Sequence, residues 1–82
     1  MNRSEILSTV QDIFREVFDN DKLVITDETN STDIEDWDSL EQINLVTLIE
    51  NRFNFEFDMD EVINFKNVGD MIDVILNKVN KF

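Results

Sequence analysis

The sequence predicts an all-α fold, a four-helix bundle of three long helices and one short third helix, with a long first loop. Three observations point there. Apolar residues recur at three- and four-residue steps through most of the chain. One glycine and no proline in 82 residues leave too few turn residues for a small β domain. No cysteine is present, so packed helix faces and not disulfides must hold the fold. Residues 1–82 are expected to form one domain, near the size at which a single core gives thin stability.

The first helix is predicted from Ser4 to Phe18, where Ile6, Val10, Ile13, Phe14, Val17 and Phe18 share one face, with Ser4 as its cap. From Asp19 to Asp38 the period breaks. Leu23, Val24 and Ile25 are its only apolar cluster before Ile34, which gives an ordered loop long enough to expect a function of it. The second helix should start at Asp38 or Ser39 and run to Phe53, with Leu45, Ile49 and Phe53 inward and Leu40, Ile43, Val46 and Leu48 widening the apolar surface. A short helix is expected over Asp58–Ile63, with Val62, Ile63 and Phe65 to bury. The last begins at Asn67, its cap, and continues through Val68, Met71, Ile72, Ile75, Leu76 and Val79. Gly69 in its first turn costs about 1 kcal/mol relative to alanine, where a helix tolerates it best. The seven phenylalanines (Phe14, Phe18, Phe53, Phe55, Phe57, Phe65, Phe82) are assigned to the core, and the alternation over Phe53, Phe55 and Phe57 predicts a short extended turn.

Nineteen acidic residues against seven basic ones give a formal charge of −12. That charge repels phosphate backbones and anionic lipid, so no nucleic-acid or membrane partner is expected. Without histidine or cysteine there is no Ser-His pair, no thiolate and no zinc site of the usual ligands. Asp19-Asn20-Asp21 and Asp58-Met59-Asp60 begin like calcium loops, but Leu23 and Val62 stand where a ligand belongs and the glycine is missing; no metal site is assigned. The start lacks the apolar stretch of a signal peptide, and the expectation is a cytoplasmic, monomeric protein whose charged partners are basic. The acid is not spread evenly. Residues 19–38 carry −7 and residues 54–63 carry −4, flanking a second helix that carries only −1.

The most informative stretch is Asp36-Trp37-Asp38-Ser39-Leu40-Glu41-Gln42, where an acidic loop ends on a serine and an apolar helix begins. The plain function of such a serine or aspartate is an N-cap, with Glu41 or Gln42 placed to complete a capping box. A helix N-terminus also suits a phosphodiester on the Ser39 hydroxyl, because its unpaired amides and dipole favour an anion. Asp36, Asp38 and Glu41 oppose that anion and fit better as a docking patch for a basic enzyme that acts on the serine. Trp37 reads as an anchor packed beneath the loop, or alternatively as one wall of the path of a group on Ser39.

Asp38-Ser39-Leu40 at the start of the second helix resembles the Asp-Ser-Leu attachment motif of acyl carrier proteins, and Asn67-Val68-Gly69-Asp70 is similar to that family's Thr-Val-Gly-Asp. Length, acidity, the long first loop, Phe53 and the short third helix extend the resemblance over nearly the whole chain. It implies a carrier and not an enzyme, with 4′-phosphopantetheine transferred from coenzyme A to Ser39 by a phosphopantetheinyl transferase. The arm's thiol then holds acyl groups as thioesters for partner enzymes. The residues assigned to partner docking are Asp36, Asp38, Leu40, Glu41, Ile43, Asp58, Asp60 and Glu61. Fatty-acid carriers have a second helix studded with glutamates, whereas here Asn44, Asn51 and Arg52 share it with only Glu41 and Glu50, and Trp37 replaces a small residue. Those departures imply a specialised pathway and not primary fatty-acid synthesis. An aminoacyl or peptidyl carrier on the same bundle, and an acidic helical adaptor with no prosthetic group, are the alternatives.

Overall fold

Four helices make up the computed structural model, which describes residues 2–80: α1 (Arg3–Val17), α2 (Ser39–Phe53), α3 (Met59–Ile63) and α4 (Val68–Val79). Among the described residues there is no strand. α1 packs against both α2 and α4. Its buried stripe is Ile6, Val10, Ile13 and Phe14; α2 adds Leu45 and Ile49; α4 adds Val68, Met71, Ile72 and Ile75. Each large side chain sequestered this way contributes about 1.5–3 kcal/mol at most. Ile25, Ile34 and Phe57 come in from the connections and close the core.

Several boundaries shift by physical detail. The α1 cap is Asn2 and not Ser4. Its side chain accepts from the Glu5 amide at 2.9 Å while the Glu5 carboxylate accepts from the Asn2 amide at 3.0 Å, a complete capping box that starts the helix a residue early. α2 is less amphipathic than its spacing promised. Val46 and Leu48 are half-buried, but Leu40 and Ile43 stand 65% and 62% exposed. In α3, five residues can bury only one side; Val62 takes it, Phe65 packs on the core from beyond the helix, and Ile63 is left 70% exposed. Phe82 lies outside the described residues. With one glycine in the chain, turns use other residues: Asn54, with φ of 60°, ends α2 in the left-handed region, and Asp19 adopts φ of 50° after α1. Beyond Asn54 the rings of Phe53, Phe55 and Phe57 follow one another at 6.4 and 4.8 Å, as an extended segment presents alternate residues.

The long loop is ordered by hydrogen bonds to both neighbouring helices. From α1, Arg15 Nε donates to the Leu23 carbonyl at 2.7 Å, and Gln11 Oε1 accepts from the Ile25 amide at 3.0 Å. Thr29, a buried polar residue, accepts from the Thr26 amide at 2.8 Å. The loop then reaches α4. Thr29 and Asp27 carbonyls accept the Val68 and Gly69 amides at 2.8 and 2.9 Å. Those amides open the first turn of α4, where no intrahelical acceptor exists. Arg3 clasps the same junction, pairing with Asp27 and Asp73 and donating to the Gly69 carbonyl.

Gly69 suits this close approach. A Cβ there would stand 3.0 Å from the Asp27 carbonyl oxygen and 3.2 Å from the Asp27 Cβ. Gly69→Ala is therefore expected to destabilise the fold by about 1 kcal/mol, overpacking outweighing the helix propensity it gains. Urea denaturation measures this, and a midpoint at or above that of the parent would contradict the close contact.

α3 is held to α4 by charge. Lys78 Nζ lies 3.1 Å from Glu61, 3.7 Å from Asp58 and 3.1 Å from the Glu56 carbonyl. The Glu61 carboxyl is held below the ordinary glutamate value, first by the Asp58 amide, which donates to it at 2.8 Å, and then by Lys78. A lowered carboxyl stabilises the fold fully above the unfolded value and loses that contribution as pH falls through the folded one. In a carboxyl NMR titration Glu61 should show a depressed midpoint that Lys78→Met raises only part of the way. An ordinary midpoint in the parent, or complete restoration by Lys78→Met, would contradict the order of causes.

Candidate functional site

Ser39 is the first residue of α2 and is exposed. The cap is Asp38, in extended backbone, whose carboxylate accepts from the Glu41 amide at 2.9 Å. The box is left half-made. Glu41 accepts instead from Asn44 Nδ2 at 2.7 Å, and the Asp38 amide donates to the Asp36 carbonyl at 3.1 Å. Because Asp38 does the capping, Ser39 is spared it. Its hydroxyl makes no hydrogen bond among the described residues, so a nucleophilic oxygen is presented at the edge of a helix N-terminus without competition from a structural role.

Gln42 has a different task from the cap proposed for it. Its Oε1 accepts the Trp37 indole N–H at 2.7 Å. Trp37 packs edge-on to buried Phe14, with centroids 5.2 Å apart, and also meets Phe18. The indole therefore anchors the acidic loop to the core one turn from Ser39. That is the anchoring role weighed for it, and the same ring also lines a cleft of about 340 Å³ that includes Ser39.

That cleft lies between the start of α2 and the α3–α4 turn. Trp37, Ser39 and Gln42 form one wall and Val62, Phe65 and Lys66 another, with Ser31 and Asn67 also on its lining. Phe65 ends an aromatic run through Phe57 at 5.3 Å to Phe55, so both ring clusters among the described residues reach this cleft. The sequence pattern did not single out Lys66 or Ser31. Neither lies in a periodic apolar stretch, and only the fold brings them beside Ser39.

The residues assigned to docking fall into two groups. Asp36, Asp38, Leu40, Glu41 and Ile43 surround the Ser39 end, and all but the half-buried Glu41 are exposed. Asp58 and Glu61, by contrast, are engaged in holding α3 through its cap and Lys78, while Asp60 is exposed. Glu50, the other acid of α2, is also committed, accepting the Phe57 amide at 2.8 Å. Met59 and Ile63 of α3 are 76% and 70% exposed, apolar surface absent from the assigned set. Met59 had no periodic partner to mark it. No described helix is long and apolar enough to cross a membrane.

A covalent group on Ser39 would fit what surrounds it: a free exposed hydroxyl, helix amides without intrahelical partners, and an adjoining cleft. Comparisons with known proteins point the same way. The family model for a phosphopantetheine attachment site matches residues 8–75. The acyl carrier protein of Lactobacillus acidophilus is 32% identical over 92% of this chain and 94% of its own length. That of Acidothermus cellulolyticus is 35% identical over 94% of this chain and 92% of its own. Among solved structures, holo acyl carrier protein from Geobacter metallireducens superposes with a TM-score of 0.85 at 40% identity, covering 90% of this chain and 85% of that one.

Proposed function

Because the chain belongs to the acyl carrier protein family, whose cofactor is 4′-phosphopantetheine, we propose that Ser39 is the attachment point and that the holo protein carries acyl thioesters between enzymes of a specialised pathway. The observation that carries this reading is the division of labour at the start of α2. Asp38 caps the helix, and the Ser39 hydroxyl is left exposed and unbonded among the described residues.

Ser39 Oγ attacks a phosphorus of the coenzyme A pyrophosphate in the active site of a phosphopantetheinyl transferase. A new P–O bond forms, the nucleoside bisphosphate leaves, and the hydroxyl proton passes to the enzyme or solvent. When bound, the group supplies a thiol that holds acyl cargo as a thioester. The chain's own residues position and present it. Asp38 fixes the helix start, Trp37 and Gln42 fix the loop before it, and Leu40 and Ile43 offer apolar contact next to the attachment point. Asp36 and Asp38 face outward as charge for a basic enzyme to meet, which favours encounter at low ionic strength.

The specialised role is supported by α2 itself. Asn44, Asn51 and Arg52 occupy exposed positions, and the Glu50 carboxylate is turned to the Phe57 amide, so little of its surface is acidic beyond Glu41. A primary synthase that grips a row of helix glutamates finds few here.

Incubation with a phosphopantetheinyl transferase, magnesium and coenzyme A should add one phosphopantetheinyl group to the intact mass. Ser39→Ala should abolish the gain and leave stability within about 0.5 kcal/mol of the parent, as for a surface change. No gain in the parent with several transferases would overturn the carrier reading. Salt-sensitive binding of basic partners that ignores Ser39→Ala would favour an acidic adaptor. Loading of the holo form by an amino-acid-activating enzyme would favour an aminoacyl carrier.

A further inference from the structure

We propose that the cleft beside Ser39 seats the proximal half of the phosphopantetheine arm, with the Lys66 ammonium as counter-ion to its phosphodiester. The resting arm then lies folded against Trp37 and Phe65 and does not extend into solvent. This rests on attachment at Ser39.

The first argument is the chemistry left over on the lining. Gln42 Oε1 is taken by the Trp37 indole, and Asn67 Oδ1 by the Asp70 amide at 2.9 Å, where it caps α4. Both side chains are left with NH₂ groups. Ser31 adds a hydroxyl with no partner among the described residues, and Lys66 adds an ammonium. Asp38 is the one carboxylate on the lining; its Oδ1 receives the Glu41 amide, which leaves Oδ2 as a single charged acceptor against these donors. What remains uncommitted is biased toward donors, which selects a ligand rich in acceptors. A phosphodiester followed by two amide carbonyls is such a ligand. Its dimethyl carbon suits the apolar parts of the wall, Val62, Phe65 and the Trp37 ring. A plain alkyl chain would leave the donors facing hydrocarbon.

The second argument is charge. Attachment adds an anion to a helix start already flanked by Asp36, Asp38 and Glu41. Three of the six described cations are spoken for: Arg3 pairs with Asp27 and Asp73, Lys78 with Asp58 and Glu61, and Arg15 donates to Leu23; Lys22 and Arg52 are not on the cleft lining. The Lys66 ammonium has no ion pair among the described residues and lines the cleft that contains Ser39. The backbone on both sides of it is fixed, the Lys66 amide donating to Asp70 at 2.9 Å and Asn67 capping α4. The cleft volume of about 340 Å³ lies in the range of small-molecule sites, about 300–1,000 Å³.

Trp37 is the only tryptophan, so its emission reports on the cleft directly. Apo and holo forms, each verified by intact mass, are compared by Trp37 fluorescence and by nuclear Overhauser contacts from the arm's methyl groups. The holo form should show an altered emission and contacts to Trp37 and Phe65. Lys66→Met should lose at least half of the emission change, and Lys22→Met, an exposed cation away from the cleft, should keep it. Should Lys66→Met resist modification, parent holo protein in rising salt gives the second readout, with the emission change declining as the ion pair is screened. Verified holo protein with unchanged Trp37 emission and no arm contacts overturns the seated arm while attachment stands. Equal emission changes in the Lys66→Met and Lys22→Met forms, or indifference to salt, remove Lys66 from it. Absence of any mass gain in the parent removes both the arm and its seat.

Discussion

Two backbone hydrogen bonds, Val68 to Thr29 and Gly69 to Asp27, set the shape on which the rest of the molecule depends. A loop of about twenty residues would ordinarily wander, since each ordered residue costs roughly 1–2 kcal/mol of backbone entropy. Here the loop finds acceptorless amides at the start of α4 and satisfies them with its own carbonyls. One contact thus orders the loop and completes a helix end. The consequence runs onward in both directions. The loop arrives at Trp37 with a fixed path, and the start of α4 is drawn toward the start of α2. The cleft between them, with Ser39 on one side and Lys66 on the other, is a product of that closure. Gly69 permits it because any Cβ would press on the Asp27 carbonyl.

The acid of this chain does two kinds of work. Asp27, Asp58, Glu50 and Glu61 are internal fasteners, taking Arg3, Lys78 and backbone amides. Asp36 remains outward at the Ser39 end, and Asp38 is exposed there while its Oδ1 caps α2. The net charge of −12 is therefore a mixture, and the portion free of intramolecular partners is smaller than the total. That portion sits beside exposed Leu40 and Ile43, so charge and apolar surface adjoin at this end of the molecule.

Much of this was legible from residue types alone. Helix periods gave α2 and α4 to within a residue; Asn67 announced itself as a cap because its side chain can accept where the backbone cannot, whereas at α2 the residues left Asp38 and Ser39 both open and the structure selects Asp38. The Asp-Ser-Leu and Asn-Val-Gly-Asp segments marked the family. What escaped has common physical causes. Asn2 displaced Ser4 because a reciprocal box with Glu5 outcompetes a lone hydroxyl. Ile63 looked buried because an apolar residue in a five-residue helix gives no period from which to read its face. The tie between the loop and α4 is made of backbone groups, which every sequence possesses and none reveals. Lys66 and Ser31 became site residues only through that tie.

With Asp38 as the structural cap of α2, Ser39 is the proposed carrier of the arm. Four serines compete for that role: Ser4, Ser8, Ser31 and Ser39, with Ser31 on the lining of the same cleft. Fragmentation mass spectrometry of the modified full-length chain locates the phosphopantetheinyl group residue by residue. The group is expected on Ser39 alone; finding it on Ser31, or on either serine of α1, would contradict attachment at Ser39.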